Sequence, residues 1–169
     1  MRLAALTLIL WLAACSGETE PAEQKSEAAA AEQFSAGQWE MATEVTKVMQ
    51  RDQGPPAIDM AQGSKSSRSV CLTEAEAKKP QPALFVPEGF DCTYRDSYVR
   101  GGRVNATLAC TRPGLSGNIA TNINGSFTAE GFAGTSTTET SLAGQGDVRL
   151  DTKLSGRRIG ACSAAPSKG

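Results

Sequence analysis

The sequence contains no histidine among its 169 residues, and only 5% of them are aromatic. The absence of histidine removes the most common general base of enzymes and the most common metal ligand. Lysine and arginine total 17 against 18 aspartates and glutamates, a net charge of -1. That balance argues against nucleic acid as an electrostatic partner. No cofactor and no metal site are predicted, and no large pocket lined with aromatic side chains is expected.

An apolar run opens the sequence, from Leu3 to about Leu12, and Arg2 precedes it. The run is too short to span a membrane, which takes roughly 20 apolar residues, and it is typical of a secretory signal. It ends in the letters LAAC, whose last residue is Cys15. This ending resembles the lipobox of bacterial lipoproteins, which implies cleavage before Cys15 and acylation of its thiol and of the new amino group. The alternative is an ordinary signal peptide in which Cys15 is incidental.

We therefore predict a signal peptide over residues 1–14 and a membrane anchor formed by lipid on Cys15. Residues 16–33 contain five glutamates and no large apolar side chain, so they are predicted to be a disordered tether. Ser16 is typical of lipoproteins of the bacterial outer membrane, where the protein is expected to face the periplasm. A single folded domain is expected over residues 34–162, followed by a loose tail over residues 163–169.

Most of the predicted domain alternates apolar and polar residues. In QWEMATEVTKVM, Trp39, Met41 and Val45 fall on one face, and RVNATLAC, NIATNINGSF and DVRLDTKL alternate in the same way. This period of two predicts antiparallel strands with one packed face and one wet face. The predicted fold class is mainly β, an antiparallel meander that forms a strongly curved sheet or a small barrel.

Turn and cap signals divide the strands. Thr73 followed by Glu76 forms a capping box, so one short helix is expected there, ending before Pro80. Residues 50–67 contain many Gly, Pro and Ser residues and are predicted to be a loop. The letters TAEG predict a hairpin turn in which Gly131 takes the left-handed conformation.

Four cysteines remain once Cys15 is assigned to the lipid. In an oxidising compartment four cysteines predict two disulfides, and they allow three different connectivities. The four are Cys71, Cys92, Cys110 and Cys162.

The turn at Gly101-Gly102 decides which cysteines face each other. A two-residue turn places Cys92 opposite Thr111, whereas a three-residue loop over 100–102 places Cys92 opposite Cys110, within disulfide range. We therefore predict the three-residue loop, with Gly102 left-handed, and a Cys92–Cys110 disulfide. Elimination then pairs the other two cysteines, 71 with 162, while the remaining two connectivities stay open.

Four motifs occur in order: GQWE from Gly37, CLTE from Cys71, two cysteines across a Gly-Gly hairpin, and GRRIG-x-C ending at Cys162. Together they resemble a proteobacterial envelope family known only as domain of unknown function 3617. The resemblance covers residues 34–162. It implies a fold and an envelope location, and it supplies no catalytic residue.

Three residues are candidates for contacts with a ligand or partner. Trp39 could stack on a ligand, but a tryptophan on the apolar face of a strand favours a place in the core. Arg157 and Arg158 could bind a carboxylate or phosphate, but in a chain of balanced charge they favour solvent or an acidic neighbour.

The sequence favours a non-catalytic binding or interaction module of the cell envelope, because no nucleophile is paired with a base. Its partner is expected to be an envelope protein, peptidoglycan or a small apolar molecule held by the curved sheet. One alternative is an inhibitor of an exported enzyme that presents the loop at Gly54-Pro55-Pro56. Another is a hydrolase that uses carboxylates alone.

Overall fold

The computed structural model describes residues 33–144 and 146–162. The predicted signal peptide, Cys15, nearly all of the tether and the tail over 163–169 lie outside the described residues.

In the described residues, seven antiparallel strands form one sheet, which confirms the mainly β prediction. In chain order they are β1 (Gly37–Gln50), β2 (Lys65–Leu72), β3 (Asp91–Arg100), β4 (Arg103–Thr111), β5 (Gly117–Phe127), β6 (Gly131–Leu142) and β7 (Val148–Gly160). Their order across the sheet is β2-β1-β7-β6-β5-β4-β3. The sheet is not closed, so of the two predicted forms the structure has the open sheet and not the barrel.

Strands β3 to β7 form the predicted meander, and β1 and β2 extend it beyond β7. The sequence did not reveal β2, because Lys65 to Ser69 carry no apolar alternation and only Val70 and Leu72 carry large apolar side chains. The predicted loop over 50–67 is therefore too long at its end, since β2 already begins at Lys65.

The inner face of the sheet is filled by the chain itself. Phe34 stacks on Phe127 with ring centroids 4.4 Å apart and packs edge-on against Trp39. The short helix α1 (Glu74–Lys78) and a 3-10 turn (Pro82–Leu84) contribute Ala77 and Leu84 to the same core. The helix and the capping box of Thr73 confirm the sequence prediction.

The segment that carries α1 also contacts both edge strands. On β2, Arg68 donates hydrogen bonds to the carbonyl oxygens of Ala83 and Val86. On β3, the hydroxyl of Tyr94 donates to the carbonyl oxygen of Pro80 over 2.8 Å. The open side of the sheet is thus bridged by coil and helix instead of by a strand-to-strand ladder.

The hairpin between β3 and β4 corrects one prediction and confirms another. Its turn has two residues, not three, because Arg100 pairs with Arg103. Both turn glycines are left-handed, Gly101 at φ 58° and Gly102 at φ 71°, as a tight type I′ hairpin turn requires. A bulge between Tyr94 and Asp96 then shifts the register by one residue.

The bulge brings Cys92 opposite Cys110 even though the predicted loop is wrong. The two form a disulfide with Cα atoms 4.0 Å apart. The second disulfide joins Cys71 to Cys162, with Cα atoms 5.4 Å apart. Both predicted disulfides are therefore confirmed.

The turn before β6 also differs from the prediction. Gly131 is not among the glycines with positive φ. Instead, the amide of Thr128 donates to the carbonyl oxygen of Gly131, and the hydroxyl of Thr128 accepts from the amide of Glu130. These bonds close the turn between Phe127 and Phe132 without a left-handed residue.

Candidate functional site

The outer face of the sheet is polar and open. Side chains alternate between the two faces of each strand, and the positions between the core residues of β3, β4 and β5 are exposed or partly exposed. Cross-strand pairing aligns one outer row, in order along the sheet, as Arg100, Arg103, Ser126, Ala133, Ser155, Ala42 and Ser67.

Two open depressions lie along the end of the sheet near the Gly101-Gly102 turn. One has a volume of about 790 Å3 and the other about 880 Å3. Both are lined by Arg103, Ser126 and Ala133, so they form one continuous surface feature. We call it the arginine groove; its further polar lining is Asp96, Tyr98, Asn105, Asn124 and Thr128.

Two arginines bring positive charge to this groove: Arg103 lines it, and Arg100 lies beside it, next to Arg103 and the Tyr98 ring. Arg100 and Arg103 face each other directly across the hairpin, where opposed Cβ atoms lie about 5 Å apart and like charges destabilise the pair. Neither arginine takes part in an ion pair found among the described residues. Within the described part of the chain, two adjacent positive charges are therefore without a carboxylate partner.

Tyr98 is the exposed aromatic side chain of the groove, with 44% of its surface accessible. The guanidinium carbon of Arg100 lies 4.7 Å from the centre of its ring, a cation–π contact that holds the charged group in place. Tyr98 pairs with Asn105, and Asn105 pairs with Asn124. A phenol and two carboxamides, all able to donate and accept hydrogen bonds, thus line one side of the groove.

The residues singled out from the sequence do not meet at this groove. Trp39 is fully buried and donates from its indole N–H to the carbonyl oxygen of Ser35 over 2.9 Å. Trp39 is therefore a core residue, as the sequence favoured, and it is not available for contact with an external ligand.

The two C-terminal arginines have acidic neighbours, as the sequence favoured. Arg157 lies 2.6 Å from a carboxylate oxygen of Glu40. Arg158 donates to the carbonyl oxygen of Ala36 over 2.8 Å and lies 3.7 Å from Glu130. Their charges are therefore balanced locally, unlike those of the arginine groove.

Aspartates fix the loops at the opposite end of the sheet. The carboxylate of Asp52 accepts hydrogen bonds from the backbone N–H groups of Gly54, Gly146 and Asp147, at 2.8 to 3.1 Å. These hydrogen bonds lower the pKa of Asp52, and the bond from Asp147 has the largest effect. Desolvation of the carboxylate opposes this shift. The carboxylate of Asp147 in turn accepts from the amide of Leu142 over 2.8 Å. Both carboxylates therefore accept hydrogen bonds from backbone N–H groups and stabilise the loops, which is a structural role.

The other shifted pKa values also belong to structural contacts. Burial raises the pKa of Tyr94 to about 12, consistent with its place at the bridged side of the sheet. Burial lowers the pKa of Arg68, and the charge of Glu88 opposes that shift. Hydrogen bonds from Thr73 lower the pKa of Glu76 in the capping box.

Sequence reasoning missed Tyr98, Arg100 and Arg103 as a group. The signal was present in the two-residue turn, which pairs the arginines directly, and in the alternation that puts Tyr98 on their face. The predicted three-residue loop accounts for the cysteines, but it staggers the two arginines. The bulge makes the two-residue turn compatible with the Cys92–Cys110 disulfide. No residue type in the sequence indicates a bulge at this position.

Within residues 33–144 and 146–162, no cluster of side chains could hold a metal ion. The helices found in this part of the chain are also too short and too polar to cross a membrane. A family model described as "Protein of unknown function (DUF3617)" matches residues 34–162. Neither a curated protein nor a solved structure matches the chain.

Proposed function

The chain belongs to the family of proteins of unknown function DUF3617, and we propose that it is a non-catalytic interaction module of the bacterial cell envelope. In this proposal it recognises its partner with the outer face of the sheet. Residues 34–162 form the recognition domain, and lipid on Cys15 and the tether over 16–33 hold it to the outer membrane on the periplasmic side.

One observation carries this proposal: the two faces of the sheet are used differently. The inner face, which would have held a small apolar molecule, is occupied by core side chains such as Phe34, Phe85 and Phe132. The outer face is polar, and the open depressions lie at its end, where the outer-face residues Arg103, Ser126 and Ala133 line both of them. A protein with a filled interior and a polar outer face recognises its partner on its surface. This suits an envelope protein or peptidoglycan better than a small apolar ligand.

Export is supported by two independent features. The lipobox-like ending at Cys15 indicates acylation, and the two disulfides are compatible with an exported protein. Disulfides of this kind persist in oxidising compartments such as the periplasm. Intact-mass analysis of protein from its native host tests the anchor: an uncut chain with five free thiols contradicts it.

Position-specific crosslinking tests the interaction face. A photo-crosslinking residue at Asn124 places the probe in the arginine groove, and one at Lys79 places it on the exposed end of α1 as a matched control. In cells of the native host, a defined adduct is expected from position 124 and not from position 79. Adducts from both positions alike, or from neither, contradict recognition by the outer face.

The inhibitor alternative gains support from one loop. Pro55 and Pro56 are exposed, while Asp52 and Gln50 hydrogen-bond the backbone of Gly54 beside them. A rigid exposed loop is what an inhibitor inserts into a protease, because little entropy is then lost on binding. Inhibition of an exported protease that is abolished by P55A/P56A would favour this alternative over the outer-face module.

A further inference from the structure

We propose that the arginine groove binds an anionic glycan, with a carboxylate or phosphate of the glycan held between Arg100 and Arg103. This inference rests on the proposed function, since it names the chemistry of the partner for the outer face. The binding residues are Arg100, Arg103, Tyr98, Asn105 and Asn124.

Charge complementarity gives the first argument. Arg100 and Arg103 are directly opposed, exposed and without an acidic partner among the described residues. An arrangement of opposed like charges is unfavourable when empty, and it becomes favourable when one anion accepts hydrogen bonds from both groups. Arginine is suited to this because its planar fork matches carboxylate and phosphate oxygens.

The remaining lining points to sugar as the carrier of the anion. Tyr98 offers an exposed ring held by Arg100, and an aromatic ring can cover the apolar face of a sugar while its hydroxyl stays hydrated. Asn105 and Asn124 offer amides that both donate and accept, as sugar hydroxyls require. Only Asp96 opposes an anion within the lining of this part of the groove.

The shape of the groove suits an extended chain better than a compact ligand. Its lining comes from β3 to β7, including Tyr98 at one end and Gly156 at the other. With neighbouring strands about 4.8 Å apart, it extends for roughly 20 Å across the sheet. A shallow feature of this length can contact several consecutive sugars, each through few bonds.

Calorimetric binding of defined glycans to the full chain carrying Cys15→Ser tests the assignment, because this substitution removes the proposed acylation site. The probes are a uronic acid tetrasaccharide and the neutral tetrasaccharide of the same linkage. We expect the acidic probe to bind, with affinity that falls as salt rises, and the neutral probe to bind at least about tenfold more weakly.

Substitutions then locate the site. R100Q/R103Q should lower the affinity for the acidic probe by about tenfold or more, and Y98A should lower it several-fold. The matched control K78Q/K79Q removes two exposed positive charges elsewhere and should leave binding unchanged. Thermal unfolding should show R100Q/R103Q no less stable than the parent, since it removes a like-charge contact.

Other results overturn the assignment. Equal binding of acidic and neutral sugars, or equal losses in R100Q/R103Q and K78Q/K79Q, would refute an anion site at the groove. Arginine-dependent binding to phosphatidylglycerol vesicles but to neither sugar would assign the groove to a lipid surface. Absence of glycan binding together with a crosslink from Asn124 would reject the glycan and leave the interaction module standing.

Discussion

The bulge at Arg95 makes β3 one residue longer than the stretch of β4 that it faces. From Asp96 to Arg100 the pairing follows the two-residue turn, and from Cys92 to Tyr94 it is displaced by one residue. Arg95 is the residue left over, exposed, with its guanidinium donating to Asn118 over 3.0 Å. Deleting it should leave both halves of the ladder in their present register.

Deletion of Arg95 should therefore be tolerated. Tyr94 would be followed by Asp96, so the inward and outward alternation becomes regular and Cys92 still opposes Cys110. The loss is one exposed hydrogen bond, so the free energy of unfolding should change by no more than about 1 kcal/mol. Urea unfolding followed by the fluorescence of buried Trp39 measures this change, and mass spectrometry after alkylation counts free thiols.

Deletion of Thr93 is the matched control, because it shortens the same strand by one residue. If Cys92 stays opposite Cys110, Tyr94 turns outward and Arg95 is forced inward against Leu108, which is fully buried. Exposing the tyrosine ring alone costs about 2 kcal/mol, and burying an unpaired charge costs more. If the strand slips instead, the disulfide is lost at about 3 kcal/mol.

The two deletions thus distinguish two explanations: Arg95 is a dispensable bulge residue, or any shortening of β3 by one residue is equally harmful. The Arg95 deletion should keep both disulfides and near-parent stability, while the Thr93 deletion should lose at least about 3 kcal/mol. Equal destabilisation by both deletions, or free thiols in the Arg95 deletion, would refute the account of how β3 and β4 are aligned.

The Cys71–Cys162 disulfide closes a loop of 91 residues, so C71A/C162A should lower the free energy of unfolding by about 4.5 kcal/mol in urea titrations. Because its pKa is lowered in the folded state, Asp52 stabilises the fold above its ordinary value of 3.8 and loses this effect as pH falls. D52N should therefore show a shallower loss of stability than the parent in acid. Burial raises the pKa of Tyr94 to about 12, so Y94F should abolish the phenolate absorbance change at that pH, and a change that persists would contradict the assignment.

The sequence was sufficient for the elements whose pattern is local. Alternation around Trp39 and Leu108 reports burial directly, because a strand with one packed face repeats every two residues. The capping box at Thr73 and Glu76 is likewise complete within four residues. These features formed as predicted because no distant contact opposes them.

What the sequence did not determine depends on long-range pairing. Strand β2 forms because β1 offers it a partner, although Ser66, Ser67 and Ser69 have little strand preference of their own. The arginine groove follows from the two-residue turn, whereas the bulge that reconciles this turn with the Cys92–Cys110 disulfide depends on pairing with the neighbouring strand. The Cys92–Cys110 pairing follows from the requirement that bonded cysteines face each other, but the register that satisfies it comes from the bulge and not from the predicted three-residue loop.

The place of β1 has a mechanical consequence. It lies between β2 and β7, and the disulfide from Cys71 to Cys162 joins those two neighbours past its amino end. If the molecule is attached through its amino terminus, as proposed, a load enters through a strand inside the sheet. The hydrogen bonds of β1 to β2 and to β7 must then break together before the strand can be pulled out. The Cys71–Cys162 disulfide keeps β2 and β7 from moving apart. Such a domain can resist a pulling force from a bound partner without unfolding at its attached end.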